Sequence, residues 1–142
     1  MSVGLKAPLT VTGVVTFSEA ASSPAGTVIT GNMQLLGPST PATTSQQVPI
    51  NEVWHIVDVY SNGVVSGGAD GMITININGI PQPVGFVVSQ INTSLLTRFK
   101  LSESIPIAPG STISMQLTLS GASGSSAVTQ TVYVTIKRIP VA

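Results

Sequence analysis

The stretch ISMQLTLS, residues 113–120, alternates apolar and polar side chains without interruption. Successive side chains of a β-strand point to opposite faces of the sheet, so this alternation predicts a strand with one face in the core and one face in solvent. The residues predicted to face the core are Ile113, Met115, Leu117 and Leu119.

The same alternation occurs in MITININGI (72–80) and in VTQTVYVTIKRI (128–139). Gly, Pro, Asn and Ser separate the alternating runs, and no window shows a clear apolar stripe with helical spacing. About eight strands divided by such turn residues predict an all-β fold, either a sandwich or a barrel. The further predicted strands cover residues 9–18, 26–36, 53–60, 83–89 and 95–107.

A chain of 142 residues is the usual size of one domain, so residues 1–142 are predicted to form one. The longest segment without apolar alternation is GPSTPATTSQQVP, residues 37–49. We expect this segment to form a long exposed loop that crosses between sheets.

The composition is poor in charge. Asp, Glu, Lys and Arg make up 7% of the residues and the formal net charge is zero, whereas a typical protein has about 25% charged residues. Apolar residues make up 42%. Either the domain is unusually neutral or other subunits cover much of its surface, and we expect assembly. The zero net charge gives no basis for binding nucleic acid or an anionic membrane.

The N-terminal stretch MSVGLKAPLTVTGVV lacks the charge pattern and apolar core of a signal peptide. No run of about 20 apolar residues predicts a membrane span. The sequence has no cysteine, which excludes disulfides and thiolate metal sites. We expect the protein to stay in the cytoplasm where it is made, or to leave by a route that needs no such signal.

Rare residues gather in VPINEVWHIVDVYSNG, residues 48–63, which contains the only Trp and the only His. A hydrolytic triad would need His55 as its base and a carboxylate to orient it. Strand alternation places His55 and Asp58 on opposite faces. Glu52 and Asp58 share a face but lie about 20 Å apart, too far for a pair of catalytic carboxylates. The sequence predicts no catalytic residue, no metal site and no cofactor.

Strand alternation also places Trp54 and Tyr60 on one face of this strand, while its other face carries valines. A strand that is apolar on both faces is usually covered on both. Trp and Tyr are enriched at interface hot spots. Trp54 and Tyr60 are therefore candidates for a subunit interface or for stacking on a ligand.

Four cations lie on two of the predicted strands. Arg98 and Lys100 are two residues apart, and Lys137 and Arg138 are adjacent on the last strand. They could contact phosphate or neighbouring carboxylates. They could equally form a solvated edge that discourages unwanted strand pairing.

The order of these features resembles the single jelly-roll domains of viral coat, vertex and spike proteins. The matching stretches are VPINEVWHIVDVY (48–60), ITININGIPQP (73–83), IPIAPGSTISMQL (105–117) and VYVTIKRIP (132–140). The resemblance implies an antiparallel β-sandwich of two four-stranded sheets, self-assembly, and no enzymatic activity. Many such coat proteins have a basic N-terminal arm that contacts the genome, but residues 1–10 carry only Lys6.

We therefore expect a structural virion protein, assembled in the host cytoplasm, that binds copies of itself and other virion proteins. It is expected to contact neither nucleic acid nor a membrane interior. The alternative hypothesis is a carbohydrate- or receptor-binding β-sandwich in which Trp54 or Tyr60 stacks on a host-surface glycan.

Overall fold

The computed structural model describes residues 6–20, 22–36, 41–61, 71–88, 97–120 and 128–141. These residues form ten β-strands, and no helix occurs among them. The absence of helical spacing in the sequence agrees with this result. The strands are β1 (Leu9–Glu19), β2 (Val28–Thr30), β3 (Asn32–Leu36), β4 (Gln46–Gln47), β5 (Glu52–Ser61), β6 (Gly71–Ile77), β7 (Ile80–Val88), β8 (Thr97–Ile107), β9 (Thr112–Leu119) and β10 (Val128–Pro140).

The strands form two antiparallel sheets of five, which confirms the predicted β-sandwich. Sheet A has the order β3-β1-β10-β5-β8, and sheet B has the order β2-β9-β6-β7 with β4 also paired to β9. Strands β2 and β4 pair with successive parts of the same edge of β9, so they act as one interrupted strand. With β2 and β4 taken together, and β3 as an added edge strand, the order is that of an eight-stranded jelly roll.

The core lies between the inner faces of the two sheets. The alternation of β9 is confirmed, because its four predicted core residues are at most 1% exposed. The inner face of sheet A is as dry as that of sheet B, so the two faces exclude water from each other. The fully buried side chains of β6, β9 and β10 include Ile73, Ile75, Ile113, Met115, Leu117, Val132, Val134 and Ile136.

Gly31 lies where the chain leaves sheet B for sheet A, between β2 and β3. Its N–H donates to the carbonyl of Met115, at 2.9 Å. A Cβ atom built on Gly31 would lie 2.8 Å from Cε1 of Phe17 and would overlap Cγ1 of Val15. The crossing between sheets therefore needs a residue without a side chain, because the backbone packs directly on the core.

The predicted long loop at 37–49 is shorter in the structure. Residues 37–40 lie outside the described residues, Thr43 forms a bridge with Met33, and Gln46–Gln47 form β4. The Gln46 side chain is buried, and its Nε2 donates to the carbonyls of Met33 and Pro41 and to Oγ1 of Thr43. A polar sequence can thus form a fixed connection when a buried amide satisfies its backbone carbonyls.

The structure predicts that Gly31→Ala will destabilise the protein by about 2 kcal/mol, because overpacking a tight core usually costs 1–3 kcal/mol. The matched control is Gly13→Ala, since Gly13 is also buried but its added Cβ would meet Leu35 Cδ2 at 3.4 Å. Urea unfolding should place the control within about 1 kcal/mol of wild type. Equal losses in the two variants would contradict the close approach at Gly31.

Candidate functional site on strand β5

A β-bulge at Val57 determines where the side chains of β5 lie. Ile56 pairs with Ile136 and Asp58 pairs with Thr135, so Val57 is an extra residue opposite β10. Each bulge residue reverses the alternation that follows it. Up to Ile56 the even-numbered residues face the core, and after the bulge the buried apolar residue is Val59, at 1% exposure. Asp58 is 5% exposed but pairs with Thr135, which points to the outer face.

The bulge corrects the sequence prediction for this strand. Trp54 and Tyr60 do not share a face, because Trp54 lies on the inner face and Tyr60 lies on the outer face opposite Tyr133. His55 and Asp58, expected on opposite faces, both lie on the outer face. The reversal at Val57 accounts for apolar residues in both positions of the alternation.

Trp54 is part of the core and is 2% exposed. Its Nε1–H donates to Oε1 of Glu52 at 3.0 Å, and the guanidinium of Arg138 lies 5.6 Å from the centre of its ring. The indole thus has a polar partner on its one donor and a cation over its face. In this structure, Trp54 is not available to a second subunit or to a ligand.

Glu52 and Arg138 form a nearly buried ion pair beside Trp54. Nε of Arg138 donates to Oε1 of Glu52 at 2.7 Å, and NH2 donates to Oε2 at 2.8 Å. The two side chains are 4% and 13% exposed. Two parallel hydrogen bonds between guanidinium and carboxylate are the strong form of this pair. The hydrogen bonds from Arg138, opposed by burial and helped by Trp54, hold the pKa of Glu52 below its ordinary value of 4.5.

This cluster joins two strands at one end of sheet A. Arg138 pairs with Trp54 and Pro140 with Glu52 in the register of β5 and β10, and Val141 N–H donates to the carbonyl of Asn51. Both carboxylate oxygens and the indole donor are satisfied within the cluster. The arrangement is suited to fixing the end of β10, and its charges are neutralised by each other.

Sequence reasoning missed the Glu52–Arg138 pair, although the sequence contained a signal for it. Arg138 continues the alternation of Val132, Val134 and Ile136, which places it on the inner face. Neighbouring carboxylates were one of the open alternatives for the four cations, and Arg138 has such a partner. Lys137 is exposed on the outer face, as a solvated position requires. Arg98 and Lys100 lie on the edge strand β8.

Tyr60 and Tyr133 form an aromatic pair on the outer face of sheet A. The ring centres are 5.0 Å apart and the ring planes are inclined by 18°. This separation matches the distance between neighbouring strands, so the rings stand side by side and each covers one face of the other. A sugar platform needs rings that present their faces together to solvent, and this pair does not form one.

His55 has one hydrogen-bond partner in the described part of the chain, the hydroxyl of Ser104, with Nδ1 and Oγ 3.1 Å apart. A serine–histidine hydrolase also needs a carboxylate on the second ring nitrogen. Among the described residues, no carboxylate is bonded to His55. The pair therefore supplies two of the three groups of a triad, on an exposed surface.

The described residues also lack two other kinds of site. No group of three or more His, Cys, Asp or Glu side chains lies close enough there to hold a metal ion. Within the same ranges, no helix has the length and apolar character needed to cross a membrane.

Comparison with known proteins assigns the chain to no family. No protein-family description matches it, and no curated protein matches it. Among solved structures, it is similar to dimeric latent PorU from Porphyromonas gingivalis, with 15% identity and a TM-score of 0.31. The match covers 97% of this chain but only 14% of PorU, and at this TM-score it supports no inference about fold or function.

The ion pair predicts an acid-sensitive stability. Because the folded state depresses the pKa of Glu52, its contribution to the free energy of unfolding is complete above pH 4.5 and is lost as the pH falls below that value. Glu52→Gln should cost about 3 kcal/mol at pH 7, since it leaves Arg138 uncompensated. Urea unfolding at several pH values should show less loss of stability below pH 4.5 in this variant. The control Glu19→Gln, at the end of β1, should follow wild type, and an unchanged acid profile in Glu52→Gln would contradict the assignment.

Substitution of Trp54 and of Tyr60 by Ala should lower the stability of the protein by different amounts. Trp54→Ala should destabilise the protein by about 4 kcal/mol, as expected for removing a buried aromatic side chain. Tyr60→Ala should cost about 1 kcal/mol, because it removes a half-buried stacked ring. Chemical denaturation measures both values. A Trp54→Ala protein of wild-type stability would contradict the core position of Trp54.

Proposed function

We propose that this protein is a structural component of a virion that assembles by binding copies of itself. The observation that carries the proposal is the jelly-roll strand order, with β1-β10-β5-β8 facing β2/β4-β9-β6-β7. This fold is common among viral capsid proteins, where its compact shape packs side by side. Because the same fold also occurs in other classes, the surface must supply the rest of the argument.

The surface is suited to protein contacts. Several large apolar side chains are exposed, including Ile50 at 86% and Ile80 at 65%. Ile50 lies in a turn, and Ile80 begins β7 directly after the turn at Asn78 and Gly79. Hydrogen bonds hold both turns in place: Glu52 N–H donates to the Pro49 carbonyl, and Thr112 N–H donates to Oδ1 of Asn78. Fixed apolar groups lose little conformational entropy on binding, which favours a specific subunit contact.

The low charge favours protein partners. A chain with 7% charged residues and no net charge has little means of neutralising phosphates. In the proposed role, the protein contacts copies of itself and other virion proteins, and a different component binds the genome. It assembles in the host cytoplasm.

The glycan-binding alternative loses its main support at the aromatic residues. Trp54 is buried, and Tyr60 and Tyr133 cover each other. Trp54 offers no exposed ring face to a sugar, and each of the two tyrosines has one ring face covered by the other. We therefore propose self-assembly alone.

Light scattering after gel filtration tests the proposal on the pure protein. Between 1 and about 100 µM, the expected result is a defined oligomer or closed particle, which negative-stain images would show as a ring or shell. A stable monomer across this range would contradict the proposal. The unfolding free energy should also rise with protein concentration, because association stabilises the folded state.

A further inference from the structure

The charged residues are divided unequally between the two sheets. Eight of the chain's ten Asp, Glu, Lys and Arg residues lie in strands of sheet A. The five strands of sheet B, as the structure bounds them, contain no charged residue and no histidine. Glu52 and Arg138 face inward as an ion pair, but Lys137 and Asp58 lie on the outer face of sheet A, so the outer faces of the two sheets differ in charge.

The outer face of sheet B presents an apolar row across three strands. Val28 pairs with Thr118, and Thr118 pairs with Met72, so the three side chains lie in line across the sheet. Val28 is 52% exposed and Met72 is 47% exposed. The next row, Thr30, Gln116 and Thr74, is polar but uncharged.

Sheet A differs on its outer face. Lys137 pairs with His55 there, Thr135 pairs with Asp58 in the next row, and the stacked rings of Tyr133 and Tyr60 form the row after that. The outer face of sheet A therefore carries charged side chains and a stacked aromatic pair. Sheet B exposes large apolar side chains, and its strands contain no charged residue, which is the pattern of a covered surface.

We propose that the outer face of sheet B binds the same face of a second copy of this chain. This inference rests on the proposed function and names the contact surface. An uncharged face matches another uncharged face, whereas a charged partner would lose hydration without gaining an ion pair. Contact between identical faces forms a two-fold interface, the commonest symmetry of homo-oligomers.

The size of the face agrees with this partner. Four strand positions at about 4.8 Å and eight residues at about 3.3 Å give an area of about 500 Å². Two such faces bury about 1,000 Å² in total, which is the lower limit for a specific interface. The two outer faces would pack as stacked sheets do, about 10 Å apart.

A lysine scan with a matched control tests the contact. Thr118→Lys and Met72→Lys place a cation in the row of Val28, Thr118 and Met72, near one end of the face. In a two-fold interface the same patch is used on both copies, so each substitution introduces two cations. The control is Thr131→Lys, because Thr131 is also half-buried and points outward, but from the central strand β10 of sheet A. Sedimentation velocity should show dissociation constants raised at least about 100-fold by Thr118→Lys and Met72→Lys, and within about threefold of wild type for Thr131→Lys.

Cysteine labelling gives a second measurement that does not depend on tolerance of a charge. The chain has no native cysteine, so Thr118→Cys and Thr131→Cys each create one thiol. In the assembled protein, maleimide should label Thr118→Cys at least tenfold more slowly than after dilution to the monomer. Thr131→Cys should label at the same rate in both states.

The outcomes separate the two proposals. A wild-type monomer at about 100 µM would overturn both. An oligomer that the lysines on sheet B leave intact, with labelling of Thr118→Cys unprotected, would overturn this contact and leave self-assembly standing. Dissociation by Thr131→Lys alone would assign the interface to sheet A instead.

Discussion

The dry contact between the two inner faces is the interaction on which every other feature of this protein depends. Neither sheet has a second apolar partner within the described chain, so each supplies the only cover for the inner face of the other. The position of Gly31 follows from this contact, because a side chain there would enter the core. The position of Trp54 follows too. At the end of the core, where the indole needs a polar partner, the Glu52–Arg138 pair provides one.

Much of the fold could be predicted because β9 and β10 alternate without interruption, so their inner residues were identified from the sequence alone. The bulge at Val57 could not be predicted in the same way. The residues around it are apolar in both positions of the alternation, so an extra residue leaves no visible break in the pattern. Because of this one extra residue, Asp58 and Tyr60 lie on the outer face and not on the face that they were predicted to share with Trp54. The ion pair was missed for a different reason, since it joins residues far apart in sequence.

Rare residues were a poor guide to the surface that we propose for self-association. Trp54 drew attention because it is the only tryptophan, yet its neighbours use it to close the core. Met72, Val28 and Thr118 belong to common residue types and attracted none. They become informative only when the strand order places them in one row. The low charge of the whole chain suggested assembly, and the topology places most of the charged residues in the strands of sheet A.

Strand β10 lies at the centre of sheet A, although it is the last described strand in chain order. It pairs along all of β1 and most of β5, and in the described pairings it is the connection between the β3-β1 and β5-β8 halves of the sheet. During synthesis, β1 cannot pair with β10 until residues 128–140 have been made. Folding is therefore governed by contacts between the first and last strands, which makes it slow for a chain of this size. A nascent chain that stops short of β10 exposes two unpaired strand edges. Sheet B does not contain β10, but its inner face is fully covered only when β10 completes sheet A.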